Sequence, residues 1–530
     1  MITLLVGLLV LLPVTVLADT PTVKDSTSPD SVRTAPLTIE EVLARIELTH
    51  PLLRSTGLER AQARAKLLKA LGAWEPKIRN ELEADRYQTY NLTNISGEPN
   101  ALVSGYNDTT LQLGHPWGAY VFGGIRNGFG DHATLASSGP GFFSSAATGP
   151  VAFPQDLQLF WPQQMLIIGG SFNFLRGFMI NDEYAEFQQA ELSGPQAEIK
   201  VAQKRQDLFL AGAVQYWDWQ VAVKQAEVQK ENLAVAEARL AQVEGRAKAG
   251  TVAPLDVSEA GQEVQSRREA AIAAQRKVEL EQYKLSLFLW ENDEPVTPLP
   301  EWAPEFTGET PLPTEEEIAA DKVAAKEDRP EVKDLAIEIQ MNQIDLKLAK
   351  NSLLPKLAFE GGPAMGSLYW IGGFGYNMRL RFSMPLFNRE ARGKVAHAEA
   401  QQERLTYELW NTEQKVSLDV DNWVSAIVRA RDRVRAATEA YRLAKVLEEG
   451  ERKRFDMGAT NILFVNTRER NAVEAAYELY RAQYDYVLAR GGLLWAKGAL
   501  SKPVSTPVLE KYGNPLNSAG SSGFKVPGRD

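Results

Sequence analysis

The sequence predicts a mainly α-helical protein with a smaller β-barrel part, built as a tandem internal repeat. Two similar segments, one beginning at Pro51 and the other at Pro330, both end in Pro-Lys followed by an apolar residue. In each half, a long run of strong helix formers carries apolar residues three and four positions apart. Residues 376–384 alternate strictly between polar and apolar, which indicates a strand with two different faces.

The composition excludes several classes of function. Of the 530 residues, 44% are hydrophobic and 24% are charged, as in folded proteins. The net charge of −10 argues against nucleic-acid binding, which needs a basic surface. Because the chain has no cysteine, disulfides and cysteine-bound metals are excluded. No zinc-protease, nucleophile-elbow or phosphate-loop motif occurs and the four histidines are scattered, so we predict a non-enzyme without cofactor or metal.

The N-terminal segment has the pattern of a secretory signal peptide. An apolar core up to Leu12 is followed by Pro13 and by a small-x-small cleavage site ending at Ala18. We therefore predict a signal peptide over residues 1–18 and an N-terminal linker over 19–37. The alternative is a short membrane anchor, although the core is too short to span a bilayer comfortably.

Alignment of the two halves defines the repeat. At the offset of 279 residues that places Pro51 on Pro330, "WEPKI" meets "LLPKL". At a different offset, 208 residues, "RAKAGTVAPLDV" from residue 246 matches "RFDMGATNILFV" from residue 454. The predicted domains are a first repeat over 38–290 with an insertion at 91–164, a Pro-rich linker over 291–328, a second repeat over 329–500 and a C-terminal tail over 501–530.

Each repeat is predicted to contain a helix, a hairpin, a long helix, a glycine-centred turn and a further helix. The predicted helices are Ile39–Trp74, Asp182–Glu244 and Pro254–Trp290 in the first repeat, and Arg329–Leu354, Glu390–Arg454 and Ile462–Leu500 in the second. Thr38 is expected to cap the first helix and Pro195 to kink the second. Each long helix would span roughly 95 Å, and rods of this shape cannot bury a core without other copies.

The hairpins have the apolar-out, polar-in pattern of outer-membrane barrels. Asn377, Arg379 and Arg381 form the polar face of the last strand and are candidates for the barrel lumen. Two hairpins give four strands, whereas known barrels begin at eight, so we predict a homo-oligomer, and a trimer would supply twelve strands. A further strand pair within the insertion at 91–164 is an open alternative.

The segment "RFDMGATNILFVNTRERNAVEAAYELYRAQYDYVLARGGLLWAKG", with "MPLFN" after the second hairpin, resembles the TolC family of outer-membrane efflux proteins. The resemblance covers about residues 37–500. It implies a homotrimer with a twelve-stranded barrel in the lipid of the cell outer membrane and a helical tunnel in the periplasm. It also implies a passive exit duct that docks to a periplasmic adaptor and an inner-membrane transporter.

The resemblance further implies roles for the two glycine-centred turns, where such channels meet the adaptor and narrow. The candidate adaptor contacts are Arg246, Gly250, Arg454 and Gly458, and the candidate gate residues are Asp256, Glu259, Phe464 and Thr467. A ring of carboxylates would attract cations, whereas a ring of phenylalanines would form an apolar plug. The simpler alternatives are that the glycines only end helices, that Phe464 packs between helices, and that the two acids only interact with the helix dipole.

A second hypothesis from another class is a secreted or surface coiled-coil scaffold or adhesin that conducts nothing. The paired, membrane-length alternating strands favour the channel, because a stalk has no need for them.

Overall fold

The computed structural model describes residues 35–89, 100–130, 163–306, 308, 310–368 and 371–512. The predicted signal peptide, all but the end of the predicted N-terminal linker and the last part of the predicted tail lie outside these residues.

Ten helices account for most of the described chain. They are α1 (Ile39–Thr49), α2 (Pro51–Gly57), α3 (Glu59–Leu71), α4 (Asp182–Lys248), α5 (Pro254–Ser286), α6 (Glu315–Asp328), α7 (Pro330–Asn351), α8 (Arg389–Asp456), α9 (Ile462–Ala496) and α10 (Thr506–Tyr512). The longest, α4 and α8, contain 67 and 68 residues and pack against α5 and α9 as helical hairpins. No helix of the described chain combines the length and the apolar character needed to cross a membrane.

The first predicted helix is wrong as a single element, because the chain divides it into α1, α2 and α3. Thr38 caps α1 as predicted, with its hydroxyl accepting from the Glu41 N–H (3.3 Å). His50 then adopts an extended backbone before Pro51, a conformation that proline favours in the residue preceding it. The His50 imidazole Nδ1 accepts from the Leu52 N–H (3.2 Å) and so starts the next helix.

Helix α4 continues as one helix through Pro195, and the predicted kink there stays a prediction. Contacts on both sides hold the helix at this point. Arg60 of α3 makes two hydrogen bonds to Glu198 (2.6 and 2.7 Å), and Gln196 donates to Asp334 of α7 (3.1 Å). Packing against two neighbours therefore offsets the backbone hydrogen bond that proline removes.

The predicted linker over 291–328 contains regular structure. Two short strands, β5 (Trp290–Glu291) and β6 (Glu294–Pro295), form a separate pair, and α6 follows. Helix α6 begins with a capping box, in which Thr314 and Glu317 each bond to the other's backbone N–H. Near the end of the described chain, the hydroxyl of Tyr512 in α10 lies 3.3 Å from the hydroxyl of Thr38, the residue that caps α1.

The main sheet is antiparallel and has six strands in the order β1-β2-β3-β4-β7-β8. Its strands are β1 (Lys77–Thr89), β2 (Asn100–His115), β3 (Ala119–Gly130), β4 (Gln163–Asn173), β7 (Lys356–Leu368) and β8 (Ile371–Ser383). The sheet therefore has two strands more than the four that we predicted per chain, and the count of twelve barrel strands for a trimer stays a prediction. The insertion forms β2 and β3, since it alternates on both sides of a tight turn in which Gly118 has φ +75°.

The two faces of this sheet differ in polarity. The apolar face carries side chains that are each at least 42% exposed: Ile78, Leu82, Leu111, Leu113, Val121, Ile125, Leu166, Ile168, Met378, Leu380 and Phe382. The opposite face carries charged residues, among them Arg79, Glu81, Glu83, Asp108, Arg126, Glu360, Arg379 and Arg381. An apolar surface of this size in a row of strands is what lipid contact requires.

The largest apolar core lies midway along the helical hairpins, where α1, α4 and α5 meet. Trp219 is fully buried there, next to Leu285 and Ile46. The Tyr216 hydroxyl donates to the Leu37 carbonyl oxygen (2.8 Å), which fixes the chain leading into α1. This core sets the position of the helix tips at one end and of the sheet at the other.

Candidate channel gate and channel lining

The two helix-ending turns have the same geometry. Gly250 and Gly458, the centres of the two predicted turns, have φ angles of +74° and +73°, the left-handed conformation that glycine adopts readily. In each turn the residue after the glycine donates back across the turn, Thr251 to the Arg246 carbonyl (3.0 Å) and Ala459 to the Arg454 carbonyl (2.8 Å). A Cβ at either glycine would meet nothing within 4 Å, so only the backbone conformation requires glycine.

Side chains of the two turns lie close to each other. The Arg246 guanidinium stacks on the Phe455 ring, with its carbon 5.4 Å from the ring centre, and so joins the first turn to the second. Arg454 instead pairs with Glu451 of its own helix (3.2 Å) and is exposed. Two of the four candidate adaptor contacts are thus charged groups at the helix tips.

The four candidate gate residues have different surroundings. The Asp256 carboxylate accepts from the Ala253 N–H (3.1 Å), which caps α5, and Glu259 is partly buried one turn later. Phe464 is 58% exposed and is therefore not packed between helices of this chain. The Thr467 hydroxyl is also at the surface and donates to the Leu463 carbonyl oxygen (2.8 Å).

Beneath the turns, a small apolar cluster joins the two helical hairpins. Val243, Ala260 and Ile462 are each at most 5% exposed, and they come from α4, α5 and α9 respectively. Phe455 of α8 packs against them, so all four helices meet at this level.

The next layer is a buried ionic cluster that the sequence analysis did not predict. Glu469 of α9 is 2% exposed and accepts hydrogen bonds from three arginines, each on a different helix. Arg239 of α4 binds both of its carboxylate oxygens, while Arg267 of α5 and Arg452 of α8 donate at 2.7 and 3.2 Å. This carboxylate therefore links all four helices.

Each arginine of this cluster has a further partner. Arg239 donates to the Asn466 side chain (2.9 Å), Arg267 to Glu263 (2.9 Å), and Arg452 to Glu448 (2.9 Å). A buried charge is tolerated when it is paired and hydrogen-bonded in this way.

The arginines determine the charge state of Glu469. Burial alone would raise the pKa of its carboxyl, but the hydrogen bonds from Arg239 and the charges of Arg239 and Arg267 outweigh burial and hold the pKa below its ordinary value. The cluster is therefore ionised at neutral pH. The sequence contains a signal for this cluster. The buried positions of α9 include Ile462, Val465, Ala472 and Ala476, and Glu469 lies among these apolar residues.

The polar face of the sheet holds two groups of charges. The Arg126 guanidinium makes two hydrogen bonds to the Asp108 carboxylate (2.7 and 2.6 Å), and the arginine is 2% exposed. Arg379 and Arg381 lie 3.7 and 3.8 Å from Glu360 on the neighbouring strand β7.

Arg379 and Arg381, two of the three lumen candidates, thus lie on the polar face of the sheet, and their position in a lumen stays a prediction. The side chain of the third, Asn377, is outside the described part, although its backbone pairs with Gly362. Among the described residues, no group of three or more His, Asp or Glu could hold a metal ion.

Comparison with known proteins places these features in context. Residues 323–499 match the family model of the outer membrane efflux proteins. The matched residues are thus similar to an outer membrane efflux protein domain. They comprise α7, β7, β8, α8 and α9, together with the end of α6. No curated protein is similar enough in sequence to count as a match.

Solved structures share the fold across nearly the whole chain. The CmeC outer membrane channel of Campylobacter jejuni is 14% identical with a TM-score of 0.62, covering 90% of this chain and 89% of its own. The outer membrane protein VceC of Vibrio cholerae is 13% identical with a TM-score of 0.60, covering 87% and 96%. The MtrE outer membrane channel of Neisseria gonorrhoeae is 15% identical with a TM-score of 0.58, covering 88% and 89%.

These matches confirm the predicted TolC-like fold and the resemblance on which it depended. They extend the efflux protein fold to the first repeat, which the family model does not reach. They give no support to the hypothesis of a scaffold or adhesin.

Proposed function

We propose that the chain is the outer-membrane channel of an efflux or secretion system, a passive duct through the outer membrane and the periplasm. One observation carries the proposal: a single chain joins a sheet with a lipid-suited apolar face to helical hairpins whose long arms contain 67 and 68 residues. At 1.5 Å per residue these arms are about 100 Å long, the scale of a periplasmic tunnel.

The channel is a homotrimer in this proposal, as the resemblance to TolC implies. Large apolar side chains on α8 support association with further copies. Tyr407, Trp410 and Leu418 are 62%, 63% and 65% exposed in the single chain. Covering them with a neighbouring copy would remove this apolar surface from water. A periplasmic adaptor contacts the helix tips at Arg246, Gly250, Arg454 and Gly458, and an inner-membrane transporter drives export.

The tunnel narrows at the helix tips. There Phe464 is the residue best placed to act as an apolar constriction, because it is exposed two residues after the buried Ile462. Asp256 is at the position of α5 equivalent to Phe464, and Glu259 and Thr467 follow about one turn later on α5 and α9. All three would add polar groups near the constriction. Replacing Phe464 with serine is expected to raise the conductance of channels in planar bilayers several-fold. Asp256→Asn should instead reduce the preference for cations, and unchanged currents in both variants would remove these residues from the gate.

The proposed function is tested by locating and reconstituting the protein. We expect the full chain in outer-membrane fractions, with heat-modifiable migration on gels and trimer-sized particles in detergent. In planar bilayers it should give discrete conductance steps. A water-soluble monomer, or a membrane-bound assembly that never conducts, would support the scaffold hypothesis.

A further inference from the structure

The main sheet has two strands with an unpaired side. Within the described residues, β1 pairs only with β2, and β8 pairs only with β7. Each of these strands has thirteen residues, and alternate residues thus present backbone N–H and C=O groups along an open edge. In a membrane such groups must be paired, because lipid offers them no hydrogen bonds.

The repeat supplies a template for pairing these edges. Within one chain, β4 is the last sheet strand of the first repeat and β7 is the first of the second, and the two strands pair. By the same relation, the last strand of the second repeat, β8, would pair with β1, the first strand of another copy's first repeat.

The template also fixes a register. In the β4–β7 pair Ser171, two residues before the end of β4, lies opposite Glu360, four residues after the start of β7. The corresponding positions are Arg381, two residues before the end of β8, and Glu81, four residues after the start of β1.

This register is chemically complementary on both faces of the sheet. On the polar face it places Arg381 opposite Glu81 and, two residues along the antiparallel pair, Arg379 opposite Glu83. On the apolar face it places Leu380 opposite Leu82, which are 66% and 68% exposed in the single chain. Opposite charges and apolar pairs directly across two strands stabilise a sheet. A shift by one residue would place charged side chains opposite apolar ones.

The hairpin of β2 and β3 belongs to the same wall. Its apolar face carries Leu111, Leu113, Val121 and Ile125, continuous with Ile78 of β1 on one side and Leu166 of β4 on the other. Two hydrogen bonds hold its tight turn beside the helices. The Asn181 side-chain amide donates to the Pro116 carbonyl oxygen (3.0 Å), and the Asn173 side-chain amide donates to the Gly118 carbonyl oxygen (3.0 Å). The hairpin therefore runs the height of the wall with its neighbours.

We infer that three copies close an eighteen-stranded barrel in which β8 of each copy pairs with β1 of the next in this register. The inference rests on the proposed trimer. It goes beyond the trimer in the number of strands and in the identity of the seam, the strand pair β8–β1 that joins neighbouring copies. Since barrel diameter grows roughly linearly with strand number, the barrel is about 1.5-fold wider than one of twelve strands. The two additional strands of each copy, β2 and β3, place the Asp108–Arg126 pair on the inner surface of the barrel. A wider exit with a polar lining suits bulkier polar cargo.

Engineered cysteine pairs test the seam, because the chain has no cysteine of its own. In the Leu82→Cys/Leu380→Cys variant, mild oxidation of outer membranes should link neighbouring copies and convert most of the protein to covalent dimers and trimers. The matched control, Ile78→Cys/Leu380→Cys, displaces one cysteine by four residues along β1. It should link at least ten-fold less.

A second set of pairs tests the added hairpin within one chain. Ile78→Cys/Leu111→Cys and Ile125→Cys/Leu166→Cys join it to β1 and β4, whose residues are register partners in the sheet. Thr109→Cys/Ile125→Cys joins β2 to β3 and serves as the control. All three links should form, as read by mass spectrometry of the digested protein.

The outcomes separate the inference from the proposed function. If the chains form conducting trimers but the Leu82/Leu380 variant does not link, the seam is wrong. If only the Thr109/Ile125 control links, the hairpin lies outside the wall and the barrel does not have eighteen strands. Absence of any oligomer in the outer membrane would overturn the proposed function itself.

Discussion

The long helices α4 and α8 contain 67 and 68 residues, and the helices that follow them, α5 and α9, contain 33 and 35. The first repeat nevertheless contributes four strands to the main sheet and the second only two. The two repeats thus differ in their number of strands but hardly in the lengths of their helices. Rods that lie side by side must match in length, whereas an antiparallel sheet accepts a hairpin without changing its outer edges.

The tips show the same contrast at the level of single residues. Both turns have a left-handed glycine, yet the buried carboxylate occurs in only one repeat. When Gly250 is aligned with Gly458, Glu469 of α9 corresponds to Gly261 of α5. A single side chain from the second repeat thus joins arginines of α4, α5 and α8.

The largest expected effect comes from removing that charge. Glu469→Gln should weaken the joint between the two helical hairpins by roughly 3–5 kcal/mol, because buried arginines lose their partner. Hydrogen exchange of the α9 amides near the tip measures this local opening. Glu474→Gln, on an exposed position of the same helix, is the control and should change exchange little. Equal exchange in both variants would mean that the ionic cluster does not hold the tips.

The unmodified chain and the Glu469→Gln variant are also expected to differ in how their stability depends on pH. The pKa of Glu469 is lowered from its ordinary value of 4.5, so its stabilising contribution is complete above that value and is lost as pH falls through the lower, folded-state pKa. The difference in exchange-derived stability between the unmodified chain and Glu469→Gln should be constant from neutral pH down to about 5 and shrink below 4.5. A difference that already disappears near pH 6 would contradict the lowered pKa.

The added hairpin has its own polar pair, whose loss should cost less. Asp108→Asn replaces the charged partner of Arg126 and should destabilise the folded sheet by about 2–3 kcal/mol. The temperature at which the heat-modifiable band disappears measures this loss. Gln112→Ala, on the same face of β2, is the control, expected within about 0.5 kcal/mol of the unmodified chain. If both variants melt alike, the Asp108–Arg126 pair does not stabilise the wall.

The smallest expected effect concerns the left-handed glycine turn, which both repeats contain. Gly458→Ala meets no neighbouring atom, so its cost is that of a left-handed backbone for alanine, about 1–2 kcal/mol. Gly450→Ala, also unobstructed but within α8, should stabilise by about 0.5–1 kcal/mol. Thermal unfolding of the two variants should therefore shift in opposite directions. Shifts of the same sign would contradict the assigned turn geometry.

The sequence predicts the features that local chemistry determines. The helix formers, the Thr38 cap, the turn glycines and the strict alternation near Arg379 and Arg381 all gave elements that the structure contains. The extra strands β2 and β3 stood only as an alternative to the count of four, because the alternation of the insertion is interrupted by glycines and its membership in the sheet depends on pairing with β1 and β4. The cluster around Glu469 was missed, since its three arginines converge only when four helices pack.

The central claim is that identical copies close one continuous wall around a common bore, and electron microscopy of the assembly extracted from outer membranes tests it directly. The account predicts a threefold particle with eighteen strands in a closed ring above a helical tunnel, and Arg381 facing Glu81 at each seam. A ring of twelve strands with β2 and β3 outside it, or a particle with no bore, would contradict the account.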